Sequence, residues 1–346
     1  MEVKANMPFQ PKRVFFEKDA LKYPLGEELW ERFRKEGILV SLIASHNRVT
    51  GIPGKTPQQS YMEAKQTFVV GVRRTMKFET CKPSAHYQLP LCTSCIGKCE
   101  YCYLNTTLGN KPYLRVYVNI EEILQKTKEY IKERSPETTF FEGAATSDPL
   151  PYEAYTGALA STIEFFSTQE LGYFRFVTKF TEVDSLLRLQ HNGHTRIRFS
   201  LNTQYVINNY EHATPPDQER IEAAGKTARA GYPLGFLIAP VILYDKWQED
   251  YGALIKKIAD TLPQEAKKDL SFEIISYRFT SRAKERILQV FPQTTLPMEE
   301  KERKFKYGQF GYGKYIYPKE QMLEVKEFFS KKVIDSFPEA NINYII

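Results

Sequence analysis

Hydrophobic and polar positions alternate along this chain with two distinct periods. Residues 26–35 carry a helical spacing, and residues 38–43 and 67–72 are short apolar runs of strand type. From about residue 87 the two signals take turns. Strands are predicted at 87–91, 138–143, 173–179, 196–202, 234–243 and 270–279. Helices are predicted at 120–134, 154–166, 217–230, 252–262 and 282–290. In the first of these helices Ile123, Leu124, Thr127, Tyr130 and Ile131 fall on one stripe. About six strand–helix units, from six strands and five helices, predict a parallel sheet with right-handed crossovers. Six are too few for a closed eight-stranded barrel, so the expected fold is α/β, a partial (βα)6 TIM-like barrel with N- and C-terminal extensions. A doubly wound sheet is the alternative. Both place chemistry at the carboxyl ends of the strands.

Four segments follow: a disordered lead at 1–10, foreign to the fold; an N-terminal extension at 11–86 packing on the barrel; the barrel itself at 87–295; and a C-terminal region at 296–346. In the last, residues 300–317 interleave basic, aromatic and glycine residues. A helix at 319–329 and a strand at 342–346 close the chain.

Composition narrows the class. Of 346 residues, 42% are hydrophobic and 26% charged, which excludes a disordered chain and a collagen-like fibre. The net charge of +6 leans towards a polyanionic partner. No apolar run reaches the ~20 residues that span a bilayer, and the first residues lack the apolar core of a secretion signal. Five cysteines, four of them between Cys92 and Cys102, suit a local thiolate site in a reducing compartment rather than a disulfide framework. A cytoplasmic protein is expected.

Cys95, Cys99 and Cys102 have the spacing CxxxCxxC. Three thiolates on a short loop can wrap one face of a [4Fe–4S] cluster, and Gly97 permits a tight turn. Three ligands leave one iron open to a small chelating molecule. A structural zinc site recruiting Cys92 is the competing reading, although zinc motifs separate two CxxC pairs by a longer span. Cys81 and Cys92 are read as unliganded.

The spacing resembles that of the radical S-adenosylmethionine (SAM) superfamily, which carries it on the loop after the first strand of a partial barrel. The chain is similar, more narrowly, to the spore photoproduct lyase family. The likeness rests on Phe78-Glu79-Thr80 with Lys82-Pro83-Ser84, the cysteine loop through Tyr103-Leu104, the run from Lys111 to Val118, Thr146-Ser147-Asp148, and Arg175-Phe176-Val177-Thr178-Lys179. It continues through His191-Asn192-Gly193, Tyr205-Val206-Ile207-Asn208, Gly235-Phe236, Ala239-Pro240, Lys306-Tyr307-Gly308 and Gly313-Lys314-Tyr315.

The resemblance implies that SAM chelates the open iron and yields a 5′-deoxyadenosyl radical. It also implies a lyase that returns the spore photoproduct, a thymine dimer of ultraviolet-damaged DNA, to two thymines. The implied setting is the spore or germinating cell of an endospore-forming bacterium, with a flavodoxin- or ferredoxin-like electron donor and a monomeric enzyme. The family supplies a hydrogen atom from a cysteine just before Thr-Ser-Asp, where this chain has Ala145. That departure implies a donor-less variant, made to hold the substrate-bound state; the alternative is a different donor, with Cys81 the candidate. Tyr101 and Tyr103 match tyrosines proposed to relay the hydrogen.

Gly143 and Ala144 match the segment that meets the SAM amino group, with Glu142 assisting. Ser147, Lys179, Ser200 and Asn202 fall at strand ends and suit the carboxylate and ribose of SAM, with capping or core roles as the alternative. Asp148 is a candidate partner of a thymine imide. Arg303, Lys304, Lys306 and Lys314, with Tyr307 and Tyr312, suit a hairpin that neutralises phosphates and stacks on bases. Two other readings stay open: a radical SAM enzyme acting on a peptide or RNA, and a zinc-stabilised nucleic-acid-binding module.

Overall fold

A computed structural model describes residues 9–307 and 313–346. Its chain forms two compact units, one reaching to Ile96 and including Thr107–Thr178 and Asp184–Thr195, the other made of Gly97–Thr106, Lys179–Val183 and Arg196–Ile346.

The first unit holds two groups of strands. In one, Leu39–Ile43, Arg13–Glu17, Thr67–Gly71 and Leu114–Tyr117 run parallel in that order, and Cys92–Thr93 adds an antiparallel edge. Thr67–Gly71 is buried along its whole length, as befits an inner strand covered on both faces. Leu39–Ile43 lies at the edge and leaves Leu39 and Leu42 exposed. The other group orders Gly172–Thr178, Thr139–Glu142 and Ala85–Gln88 in parallel, with Thr80–Cys81 antiparallel at its end. Helix Ile120–Arg134 buries Ile120, Ile123, Leu124, Thr127 and Ile131. Tyr130, expected on that stripe, instead stacks on Phe78 at 4.9 Å, and its hydroxyl accepts the Phe78 N–H at 3.1 Å.

The second unit continues the alternation. Thr195–Leu201, Leu234–Val241, Ser271–Ser276 and Asn341–Ile345 form consecutive parallel pairs. Helices Asp217–Arg229 and Trp247–Thr261 lie between them in sequence. The closing helix runs Lys319–Ser336, a turn or two beyond the expected 329, because Val325, Phe329 and Val333 keep a four-residue period and all three are buried. The six expected strands form, the first displaced to Ala85–Gln88, and the expected helices form except that 154–166 is broken at Gly157, whose φ of 57° separates Glu153–Thr156 from Ala158–Ser167.

Elements that were not foreseen include strands Arg13–Glu17 and Leu114–Tyr117 and helices Pro57–Ala64 and Gln204–Tyr210. Each helix begins at a threonine cap. Thr56 accepts the Gln59 N–H at 3.1 Å, and Thr203 accepts that of Val206 at 3.3 Å. Among the described residues no helix is long and apolar enough to cross a membrane.

Two glycines of the second unit predict opposite outcomes. A Cβ on Gly235 would lie 2.5 Å from Ser271 Oγ and 2.9 Å from Arg198 Cγ, beside the buried Arg198–Glu273 ion pair. Gly235→Ala is expected to lower stability by about 1–3 kcal/mol. A Cβ on Gly252 meets only ordinary contacts at 3.9 and 4.0 Å inside a helix, so Gly252→Ala is expected to gain up to about 1 kcal/mol. Denaturant melts of both variants measure the difference.

Candidate active site

The cysteine segment is entered through Ser94, a buried residue with a left-handed φ of 69°. Such a conformation persists only where surroundings over-determine it. Here every polar group of Ser94 is engaged. Its N–H donates to Thr146 O at 2.8 Å, its hydroxyl to Pro112 O at 2.8 Å, and its carbonyl accepts from Tyr152 Oη at 3.1 Å. The next carbonyl, of Cys95, accepts from Lys65 Nζ at 2.6 Å. The chain is therefore aimed by backbone contacts as it reaches the first thiol.

In the second unit Lys98–Cys99 pairs antiparallel with Glu211–His212, and the Cys102 N–H closes a turn on Cys99 O at 3.2 Å. Asn105 Nδ2 donates to the same carbonyl at 3.1 Å. Cys99 is buried, and desolvation pushes its thiol up to about 12, partly offset by the nearby Lys179 charge. Such a thiol loses its proton to water only when a strongly cationic partner such as a metal binds the sulfur. Among the described residues no three His, Cys, Asp or Glu side chains are already gathered about one point as a metal would gather them.

Glu211 anchors this half of the site. Its carboxylate pairs with Lys179 Nζ at 2.9 Å and Arg220 at 2.8 Å, and it accepts a short hydrogen bond from Tyr101 Oη. Burial alone would raise its pKa, but the Lys179 and Arg220 charges hold the carboxyl down at about 2. Burial, with Glu211 beside it, keeps Tyr101 well above the ordinary phenol range. Lys179, expected to meet a ligand carboxylate, thus already meets a carboxylate of the protein. Tyr103 is 57% exposed, unlike Tyr101.

The remaining candidates divide by unit. Glu142 is buried and accepts from Ser84 Oγ at 2.9 Å and from the Ala144 N–H at 3.2 Å, with Arg175 Nε at 3.5 Å. The Gly143 N–H donates to Arg175 O at 2.9 Å, and a Cβ there would sit 2.7 Å from the Phe174 ring, so only glycine fits unstrained. Ser147 accepts from the buried Cys92 thiol at 3.1 Å. Asp148 caps the turn after it through the Leu150 N–H at 3.3 Å. In the second unit Asn202 is fully buried. Its amide donates to Pro240 O at 2.9 Å and its oxygen accepts from Tyr251 Oη at 2.7 Å. The Ser200 carbonyl accepts from Arg220 at 3.0 Å.

The basic and aromatic strip forms a hairpin, Lys304–Tyr307 against Gly313–Ile316. Strand alternation puts Lys304 and Lys306 on one face, with Lys314 directly opposite Lys306; Phe305, Tyr307 and Tyr315 take the other. Tyr307 is 74% exposed. Partial burial, with Arg278 and Lys306 nearby, lowers the Lys314 pKa. Arg303 is placed differently. Its guanidinium lies 3.8 Å from the Tyr317 ring centroid and donates to Tyr277 O at 3.1 Å and Pro297 O at 2.8 Å. Tyr312 lies outside the described residues. Sequence reasoning missed Lys65, Tyr152, Glu211 and Arg220, none of which stands in a recognisable motif.

Comparison with known proteins places these features in a class and then in a family. A solved spore photoproduct lyase complexed with dinucleoside spore photoproduct superposes with a TM-score of 0.96 at 47% identity, covering 98% of this chain and 100% of that one. A mutant of spore photoproduct lyase with bound AdoMet and dinucleoside spore photoproduct gives 0.96 at 48% identity, with the same coverage. The fold is thus the α/β partial barrel of the radical SAM type. The family model described as spore photoproduct lyase matches residues 9–346. The spore photoproduct lyase of Clostridium acetobutylicum is 52% identical over 335 residues, 97% of this chain and 98% of that protein. That of Bacillus subtilis is 48% identical over 337 residues, 97% and 98% of the two chains. The chain belongs to the spore photoproduct lyase family.

The Glu211 cluster yields a pH prediction. A carboxyl lowered from its usual 4.5 to about 2 stabilises the fold above pH 4.5 and loses that contribution as pH falls towards 2. Glu211→Gln is expected to be less stable than the parent at neutral pH and to lose less stability between pH 4.5 and 2, as measured by denaturant melts across that range.

Proposed function

We propose that this protein is a DNA repair lyase that reverses the spore photoproduct to two thymines by radical SAM chemistry. The observation that carries the reading is the match, over nearly the full chain and at about half identity, to spore photoproduct lyases, including one complexed with dinucleoside spore photoproduct. Cys95, Cys99 and Cys102 would hold the [4Fe–4S] cluster, supported by their spacing and by the family. The donor set fits: three soft thiols suit iron and sulfide, and the buried Lys65 ammonium beside Cys95 has no carboxylate partner among the described residues, which suits an anionic group. With SAM bound, such a cluster would supply a 5′-deoxyadenosyl radical.

The chain's own residues bind and orient. The segment Glu142–Ala144, fixed by Ser84 and Arg175, offers carbonyls to the SAM amino group. Ser147 in the first unit and Ser200 in the second are candidate contacts of SAM, Asn202 supports its own unit from within, and Lys179 with Glu211 forms a preset ion pair beside Tyr101. Asp148 meets a thymine imide. Lys304, Lys306 and Lys314 contact phosphates while Tyr307 stacks. Directly opposed like charges, as at Lys306 and Lys314, destabilise a bare hairpin and favour an anion across it. The reductant would be flavodoxin- or ferredoxin-like, the enzyme a monomer, and its setting the cytoplasm of a spore or germinating cell.

A methyl group cannot return hydrogen to a thymine radical, so Ala145 is no donor. On one reading the chain has none and the radical is quenched abnormally. A second reading is favoured by the position of Cys81. It is half-buried in the same unit, on the strand pair beside Thr139–Glu142, which leads to Ala145, whereas the Cys92 thiol is buried with its hydrogen bonded to Ser147.

Anaerobic assay with SAM, dithionite and dinucleoside spore photoproduct is expected to release 5′-deoxyadenosine only when both substrates are present; release of thymine identifies the lyase. If Cys81 donates, Cys81→Ala converts clean thymine formation into adducts and Ala145→Cys in that background restores it. If the chain has no donor, Cys81→Ala changes nothing. Replacing Lys304, Lys306 and Lys314 with Gln is expected to weaken lesion-DNA binding and flatten the slope of log K against log salt by up to ~0.9 for each phosphate that is no longer neutralised.

A further inference from the structure

Lys65 is the most unusual buried charge in the first unit. It follows helix Pro57–Ala64, is 2% exposed, and its ammonium donates at 2.6 Å to the carbonyl of Cys95. The Tyr61 ring, 5.5 Å away, supplies a π-face. Among the described residues no carboxylate pairs with it. Burying an ammonium without a counter-charge costs several kcal/mol, and a lone carbonyl dipole returns only part of that.

We propose that Lys65 is a positioning residue for the iron–sulfur site: it fixes the Cys95 peptide, and its charge compensates an anionic cluster, most strongly after reduction. The inference rests on the reading of Cys95, Cys99 and Cys102 as cluster ligands. A cube of four irons and four sulfides carrying three thiolates is a net anion, and one added electron increases that charge. A fixed cation beside the loop therefore favours the reduced state and makes it easier to reach for a weak biological reductant. A residue that merely packed would leave that equilibrium unmoved.

The test compares the reconstituted parent with Lys65→Met, which keeps the length and loses the charge, and Lys65→Arg, which keeps the charge. Anaerobic redox titration with dithionite, followed by EPR, reads the midpoint potential. Lys65→Met is expected to disfavour cluster reduction roughly tenfold, a fall of about 59 mV for one electron, while Lys65→Arg stays near the parent. An iron-loaded Lys65→Met with the parent's potential overturns the proposal. Thermal unfolding of the cluster-free chains gives an independent reading. Removing an uncompensated buried charge is expected to stabilise cluster-free Lys65→Met, whereas a structural lysine would leave that variant less stable, or unable to fold, and would also overturn the proposal. A parent chain that takes up no iron would instead defeat the cluster reading itself.

Discussion

Buried charge governs this structure. Each unit hides a cation next to the cysteine segment: Lys65 on the Cys95 carbonyl in the first, Lys179 and Arg220 on Glu211 in the second. Glu211 in turn lies on the strand paired with Cys99. Burying any of these groups without compensation is costly. In the second unit the compensation is complete within the protein, since two cations and a phenol meet one carboxylate. In the first it is not: the ammonium donates to the Cys95 carbonyl and has no carboxylate partner among the described residues. The thiols themselves obey the same rule. Burial drives Cys99 and Cys92 up to about 12, so both are protonated until something strongly positive binds. Only Cys99 lies on the cysteine spacing, and the Cys92 thiol donates to Ser147.

The backbone around the site is stiffened in the same way. The left-handed Ser94 is held at its N–H, hydroxyl and carbonyl, and Glu142 is held by Ser84, Arg175 and the Ala144 amide. A site made of carbonyls and thiols gains selectivity from fixed position rather than from side-chain variety. Asn202 and Arg303 show the converse. Both carry chemistry suited to a ligand, and both are committed to internal carbonyls.

Much of this was legible beforehand. The parallel strands read well because inner strands such as Thr67–Gly71 and Leu234–Val241 are continuous apolar runs. The short helices after Thr56 and Thr203 were missed although each carries a capping threonine, because seven or eight residues are too few for periodicity to show. Lys65 and Glu211 were invisible for a different reason. A lysine ending a polar helix and a glutamate in Asn209-Tyr210-Glu211-His212 look solvated, and only tertiary packing buries them. Arg303 sits in a basic strip, and no sequence pattern tells a guanidinium stacked on Tyr317 from one facing a phosphate.

The central claim is that Cys95, Cys99 and Cys102 carry an iron–sulfur cluster with one iron left for SAM. EPR of the anaerobically reconstituted, reduced protein, recorded with and without SAM, tests it most directly. The account predicts a cluster signal that changes when SAM is added, is lost in each of Cys95→Ala, Cys99→Ala and Cys102→Ala, and survives Cys81→Ala and Cys92→Ala. A colourless chain that takes up zinc in place of iron and shows no such signal would contradict it.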